Sequence, residues 1–194
     1  MIDRGALVFA VVGICTTATV LPATIRTIDV KHDDGVYRLV SDTYIDAPRE
    51  AIFEVLTDYE RFGRISRAYT DYGFMKPAAD GVPIIYTTME GCVLFFCVSI
   101  RRVERMELDA PSLIRTEALP EQSDFKSSVS EWTLVPVAGG TKMTYRLTME
   151  PDFWIPPLIG PWVLKQRLER GGTGAINRIE RLAIETAAHT ATAD

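Results

Sequence analysis

Eight residues near the C-terminal third constrain the fold most. Met143, Tyr145, Leu147 and Met149 alternate with Lys142, Thr144, Arg146 and Thr148, the pattern of a strand with one buried and one wet face. Trp132 and Leu134 share a phase opposite Glu131 and Thr133, and Ala138-Gly139-Gly140 joins the two runs as a hairpin. From residue 68 onward about eighty residues keep this texture: strands are predicted over 69–75, 82–90, 97–108, 113–119, 128–135 and 142–149. An earlier strand is expected over 36–45, carrying Tyr37, Leu39, Thr43 and Ile45.

Helices flank this sheet. Asp46-Ala47-Pro48 reads as a capping acid with proline in the first turn. Ala51, Ile52, Val55 and Leu56 then give a short helix its buried stripe, and a second short piece follows from Asp58 to near Ile65. Leu164, Leu168, Ala175, Ile179, Leu182 and Thr186 predict a long helix over 162–188. Gly171-Gly172-Thr173-Gly174 lies inside it and predicts a kink or a close backbone approach. The sum is an α+β domain: a curved antiparallel sheet of about seven strands, two short helices after the first, and a long C-terminal helix over the concave face. One helix does not seal such a face, so a cavity is expected.

Between last strand and last helix runs a segment that fits neither. Pro151, Pro156, Pro157 and Pro161 break regular structure, yet Phe153, Trp154, Ile155, Leu158, Ile159 and Trp162 avoid water. Such a loop covers the sheet's end as core, the destination expected for the tryptophans, or meets a ligand or membrane. Val93, Leu94, Phe95 and Phe96 form a second apolar tip, and Lys165, Arg167 and Arg170 follow the loop within reach of anionic headgroups. Transient membrane contact would use Val93–Phe96 with Phe153, Trp154 and Ile155.

Residues 1–23 are apolar behind Arg4 and read as a signal peptide or an uncleaved membrane anchor. The folded domain is expected over 36–188, with 189–194 a disordered tail, in the periplasm. In an oxidising compartment Cys92 and Cys97 become a possible disulfide if 93–96 is a four-residue hairpin tip. The formal charge of −5 argues against a nucleic-acid partner. Only His32 and His189 could join a zinc site and neither is placed to do so, so no metal or other cofactor is expected.

Tyr44-Ile45-Asp46-Ala47-Pro48 leading into Ile52-Phe53-Glu54-Val55-Leu56-Thr57-Asp58-Tyr59, the Trp132-Thr133-Leu134-Val135-Pro136 strand and the closing helix resemble the START-like, helix-grip superfamily. The likeness is to its polyketide cyclase and coenzyme-Q-binding branch, over roughly 36–188. The 92–97 tip and the 152–157 segment look like those of secreted bacterial members. The resemblance implies a hydrophobic small molecule, a lipid or isoprenoid quinone, bound in a cavity; a cyclase or aromatase is the alternative it leaves open.

The strands yield no nucleophile–base pair and no phosphate loop. Glu90, Arg101, Arg115, Glu117, Asp124 and Glu131 are the charged candidates, and a solvated outer face is their expected place. Tyr145 differs, because it is in phase with apolar residues and its hydroxyl needs an interior partner. The expected ligand lining is Trp132, Met143, Tyr145, Leu147, Met149, Trp154, Ile176 and Ile179, with no catalytic residue and a monomer favoured.

Overall fold

The computed structural model describes residues 24–93, 96–153 and 160–193. Eight antiparallel strands form one open sheet: β1 (Thr24–Asp33), β2 (Val36–Ile45), β3 (Tyr69–Met75), β4 (Ile84–Val93), β5 (Phe96–Asp109), β6 (Leu113–Ala118), β7 (Phe125–Val137) and β8 (Gly140–Pro151). Their spatial order is β1-β2-β8-β7-β6-β5-β4-β3. Thus β2 leaves its hairpin with β1 and pairs with β8, Ser41 facing Tyr145 and Thr43 facing Met143. Two helices follow the expected places, α1 (Arg49–Thr57) and α2 (Gly160–Ala193).

The predicted faces hold. On β8, Met143, Leu147 and Met149 are buried, and on α1 the stripe Ala51, Ile52, Val55 and Leu56 is buried as expected. One apolar cluster joins that stripe to Ile45, Ile85, Met106, Ile114, Leu134 and Met143 of the sheet and to Ile176, Ile179, Leu182 and Ala183 of α2. A second gathers Val30, Tyr37, Leu39, Phe125, Leu147 and Met149, with Phe153 and Leu168 packed against it. Burial of such side chains at about 1.5–3 kcal/mol each is what holds α2 to the sheet. The clamp has polar pins too: Glu180, buried on α2, accepts from the Asp46 amide at 3.2 Å, and Thr141 Oγ1 donates to the Ala47 carbonyl at 2.8 Å.

Several expectations are corrected. The sheet has an extra strand, β1, before the first one predicted. Asp46 does not cap α1; Pro48 takes the N-cap position, with no side-chain cap, and Arg49 begins the helix. The α2 helix passes through 171–174 unbroken and continues to Ala193, taking in residues 189–193 that were expected as a tail. A Cβ built on Gly172 meets only Ile28 Cδ1 at an ordinary 3.7 Å, and at Gly171 and Gly174 it meets nothing, so no close approach required these glycines. The β4–β5 ladder extends to Val93 opposite Phe96, into the span 93–96 that was expected as the hairpin tip. No helix among the described residues is long and apolar enough to cross a membrane.

Candidate functional site

The two apolar clusters do not merge across the concave face. A diagonal polar stripe separates them, running from β4 through β5, β6 and β7 to β8. Its centre is an ion pair on β5, Arg102 and Glu104, which are 8% and 1% exposed. Arg102 Nε lies 3.1 Å from Glu104 Oε2, without hydrogen-bond alignment, so the contact is ionic. Burial works against the Arg102 charge. Glu104, and after it Tyr145, Tyr69 and Tyr59, outweigh that and hold its pKa above the usual arginine value.

Hydroxyls extend the stripe. Thr116 Oγ1 on β6 donates to Glu104 Oε1 at 2.7 Å, and Ser130 Oγ on β7 lies 2.6 Å from Thr116 Oγ1. Tyr145 on β8 stacks on Trp132, directly opposite, at 4.6 Å and 30° between rings, and the Ser130 hydroxyl nearby favours its ionised form slightly. On the β4 side Thr87 sits opposite Arg102. Thr87 Oγ1 and Ser128 Oγ are buried without a hydrogen-bond partner, and orphaned hydroxyls of this kind are uncommon in folded proteins.

Burial pushes the Tyr145 hydroxyl well above the ordinary tyrosine range, with Arg102 pulling the other way, and burial likewise raises Tyr69 and Tyr59. Yet Tyr145, Tyr69 and Trp132 keep some accessible surface. Met89 and Ile100, paired across β4 and β5, are also only partly buried. These five side chains along the stripe are thus less than fully buried.

The expected lining residues divide accordingly. Trp132 and Tyr145 border the stripe. Met143, Ile176 and Ile179 are packed into the cluster against α1, and Leu147 and Met149 into the other. Trp154 lies outside the described residues, as do Leu94, Phe95 and Ile155. Phe153 sets its ring edge-on to Phe125, centroids 6.0 Å apart. Trp162 is 61% exposed at the start of α2, not packed as core, and Lys165, Arg167 and Arg170 are exposed beyond it. Cys97 is disulfide-bonded, and the residue facing it across the ladder is Cys92.

The charged candidates lie on the outer, convex side. Arg115 reaches Glu107 at 3.3 Å and Glu117 at 3.1 Å, and Arg146 reaches Glu131 at 3.5 Å. Asp124 accepts from the Arg101 amide, whose guanidinium lies 5.2 Å from the Tyr86 ring centre, and Glu90 is exposed. The residues that sequence reasoning passed over are Arg102 and Glu104, one position out of phase with Arg101, together with Thr87, Thr116, Ser128 and Ser130. Their available signal was Thr116, a hydroxyl in phase with the core residues Ile114 and Ala118. Among the described residues no group of three or more His, Cys, Asp or Glu side chains could hold a metal ion.

An open antiparallel sheet gripping a long C-terminal helix, with a polar stripe inside, defines a START-like helix-grip protein. Solved structures agree in fold. The Zhui aromatase/cyclase from Streptomyces sp. R1128 superposes with a TM-score of 0.63 at 14% identity, covering 78% of this chain and 96% of that one. A START superfamily protein from Mycobacterium smegmatis gives 0.59 at 18%, covering 75% and 98%. Human STARD10 gives 0.60 at 10%, covering 85% and 76%. No curated protein matches in sequence. Residues 37–182 match the family described as polyketide cyclase / dehydrase and lipid transport, and the chain belongs to that family.

Proposed function

We propose that this protein binds and carries a hydrophobic small molecule, without transforming it, on the concave face of its sheet. The polar stripe takes the ligand's polar end, and apolar side chains beside Trp132 and Tyr145 take its body. The observation that carries this reading is the stripe itself: a buried ion pair and linked hydroxyls between two apolar clusters, next to inward-facing rings that keep accessible surface. The family description, which names lipid transport, supports it. A lipid, an isoprenoid quinone or a related metabolite fits. Exposed Trp162, followed by Lys165, Arg167 and Arg170, supports release at an anionic membrane surface, beside the 152–161 segment. A periplasmic setting rests on the apolar leader and on the bonded state of Cys97.

Native mass spectrometry and lipid extraction of the purified protein test the reading. A co-purifying hydrophobe is expected. None recovered, together with no change in melting temperature on adding quinones or phospholipids, would refute it. Cyclase-like catalysis is the second reading, favoured by the buried Tyr145 hydroxyl near Ser130, from which hydrogen bonds lead through Thr116 to Glu104. Under that reading Tyr145→Phe would bind a linear polyketone and fail to cyclise it.

A further inference from the structure

We propose that the end of the β4–β5 hairpin is a docking arm for an anionic membrane surface, held in shape by a Cys92–Cys97 disulfide and lost when a dithiol reductant opens it; the proposal rests on the carrier reading above. The arm follows from how far each strand is flanked. β3 accompanies β4 only to Met89, with a last bond from the Glu90 amide to the Ala68 carbonyl. On the other side β6 accompanies β5 only from Glu104 onward, and Asp124 brackets the backbone of Arg101. Past these points β4 and β5 still pair, Gly91 with Val98, Cys92 with Cys97 and Val93 with Phe96. Among the described residues no third strand joins them there. A two-stranded ribbon of this kind is marginal in water, and Gly91 weakens it further. Cys97 is disulfide-bonded and exposed, and it faces Cys92 directly. A bridge between them constrains the open ribbon and supplies the stability that flanking strands do not.

The arm projects where α2 begins. At its base the Asp124 amide donates to the Arg101 carbonyl, and the Asp152 amide donates to the Asp124 carbonyl. The root of the arm therefore lies beside the point where the chain leaves β8 for α2. Ile100 at that root packs against the same apolar cluster as Phe153 and Leu168. Val98, two residues nearer the tip and in the same phase, is 44% exposed. An apolar face thus continues out of the core into solvent, beside Trp162, which is 61% exposed, and the exposed cations Lys165, Arg167 and Arg170. Such a surface fits an anionic bilayer, with apolar groups for the acyl boundary and cations for the headgroups. Opening the bridge is ordinary thiol–disulfide exchange. A thiolate of the dithiol attacks one sulfur, and its second thiol resolves the mixed disulfide. The chain gains two thiols as the reductant becomes a disulfide, and the exposure of Cys97 leaves the bridge accessible to that attack.

The test is flotation of the purified protein with vesicles of phosphatidylcholine, alone or mixed with phosphatidylglycerol, before and after dithiothreitol, with thiol labelling to confirm each state. Oxidised protein is expected to bind the anionic vesicles about tenfold more tightly than reduced protein, and Val98→Asp to weaken binding about tenfold with the disulfide intact. In hydrogen exchange, reduction should lower protection of the arm's paired amides by about tenfold or more and leave α1 and β8 unchanged. Cys92→Ser/Cys97→Ser should match the reduced protein in both readouts, and reduction of the wild type makes the same comparison without a substitution. Equal vesicle binding by the two redox forms, or binding by neither, overturns the arm, and unchanged protection on reduction overturns the staple. Binding to neutral vesicles as tight as to anionic ones overturns the anionic partner. Lipid extraction of the same batches separates the two readings. A hydrophobe recovered from protein that docks regardless of its disulfide leaves the carrier standing without the arm, and none recovered from protein that docks only when oxidised does the reverse.

Discussion

Replacing Arg102 by methionine keeps an apolar stem and removes the charge, leaving Glu104 in a site where it is 1% exposed. Breaking a buried pair by deleting one partner costs about 3–5 kcal/mol, because the remaining charge lacks both water and counter-ion. Glu104 would keep the hydrogen bond from Thr116 at 2.7 Å, and bonds to charged groups contribute about 1.5–3 kcal/mol. The expected loss therefore lies at the lower end, about 3 kcal/mol. For a chain of this size that lowers the melting temperature by roughly 6–12 °C. The double variant Arg102→Met/Glu104→Gln keeps an oxygen for Thr116 and buries no charge, so its loss should be about 1 kcal/mol, roughly 2 kcal/mol less than that of the single variant. Urea unfolding at pH 7, followed by circular dichroism and extrapolated linearly, measures all three. If Arg102→Met lies within about 1 kcal/mol of wild type, or the double variant is as unstable as the single one, water reaches Glu104. The interior at the ion pair is then wet.

Other outcomes follow from single contacts. Gly140→Ala should destabilise by about 1–3 kcal/mol, since its Cβ would stand 2.3 Å from the Ile45 carbonyl oxygen, whereas Gly91→Ala meets nothing and serves as the control in thermal unfolding. Asp42 titrates below the usual aspartate value, first through the hydrogen bond from Thr144 at 2.6 Å and then through Lys142. A lowered pKa gives stability that is present above about pH 3.9 and lost as pH falls through the folded value, so Thr144→Val should flatten the acid limb of a stability–pH curve. Burial raises Tyr59 and Tyr145, whose stabilising effect is complete below about pH 10 and lost as pH climbs through their folded values. An absorbance titration should show these two of the seven tyrosines ionising only as the protein unfolds.

The strands over 36–45 and 69–75 were legible to the residue, and so was the α1 stripe, because their buried faces repeat cleanly and turn residues bound them. β1 was not. It is an edge strand paired on one side only, its sequence offers little beyond Ile28 and Val30 as inward apolar residues, and it follows directly on the apolar run of residues 5–23. The heart of the site was missed for a different reason. β5 carries Val98, Ile100, Met106 and Leu108 in one phase, the phase of Arg102 and Glu104, with Val103 alone as an apolar residue in the other. Val103 is fully buried on the convex side, where the Leu119 amide bonds its carbonyl and Ser123 donates to the same oxygen while accepting from its amide. Periodicity put Arg102 and Glu104 on the apolar face, but the general habit of strand charges kept attention on the solvated side, where Arg101 lies. Only pairing across three strands brings Glu104 to Thr116 and Thr116 to Ser130. Tyr145 was legible because three apolar residues in its own strand fix its phase.

That the apolar interior comes in two halves has a consequence for motion. Amides near α1 should exchange with solvent only when the whole molecule comes apart, since there the two helices brace one another against the sheet's middle. At the other half α2 leans on a strand that ends the sheet, and protection there should fail sooner. A guest molecule passing on that side would need the protein to yield locally, while its far half stays folded and ready to close again.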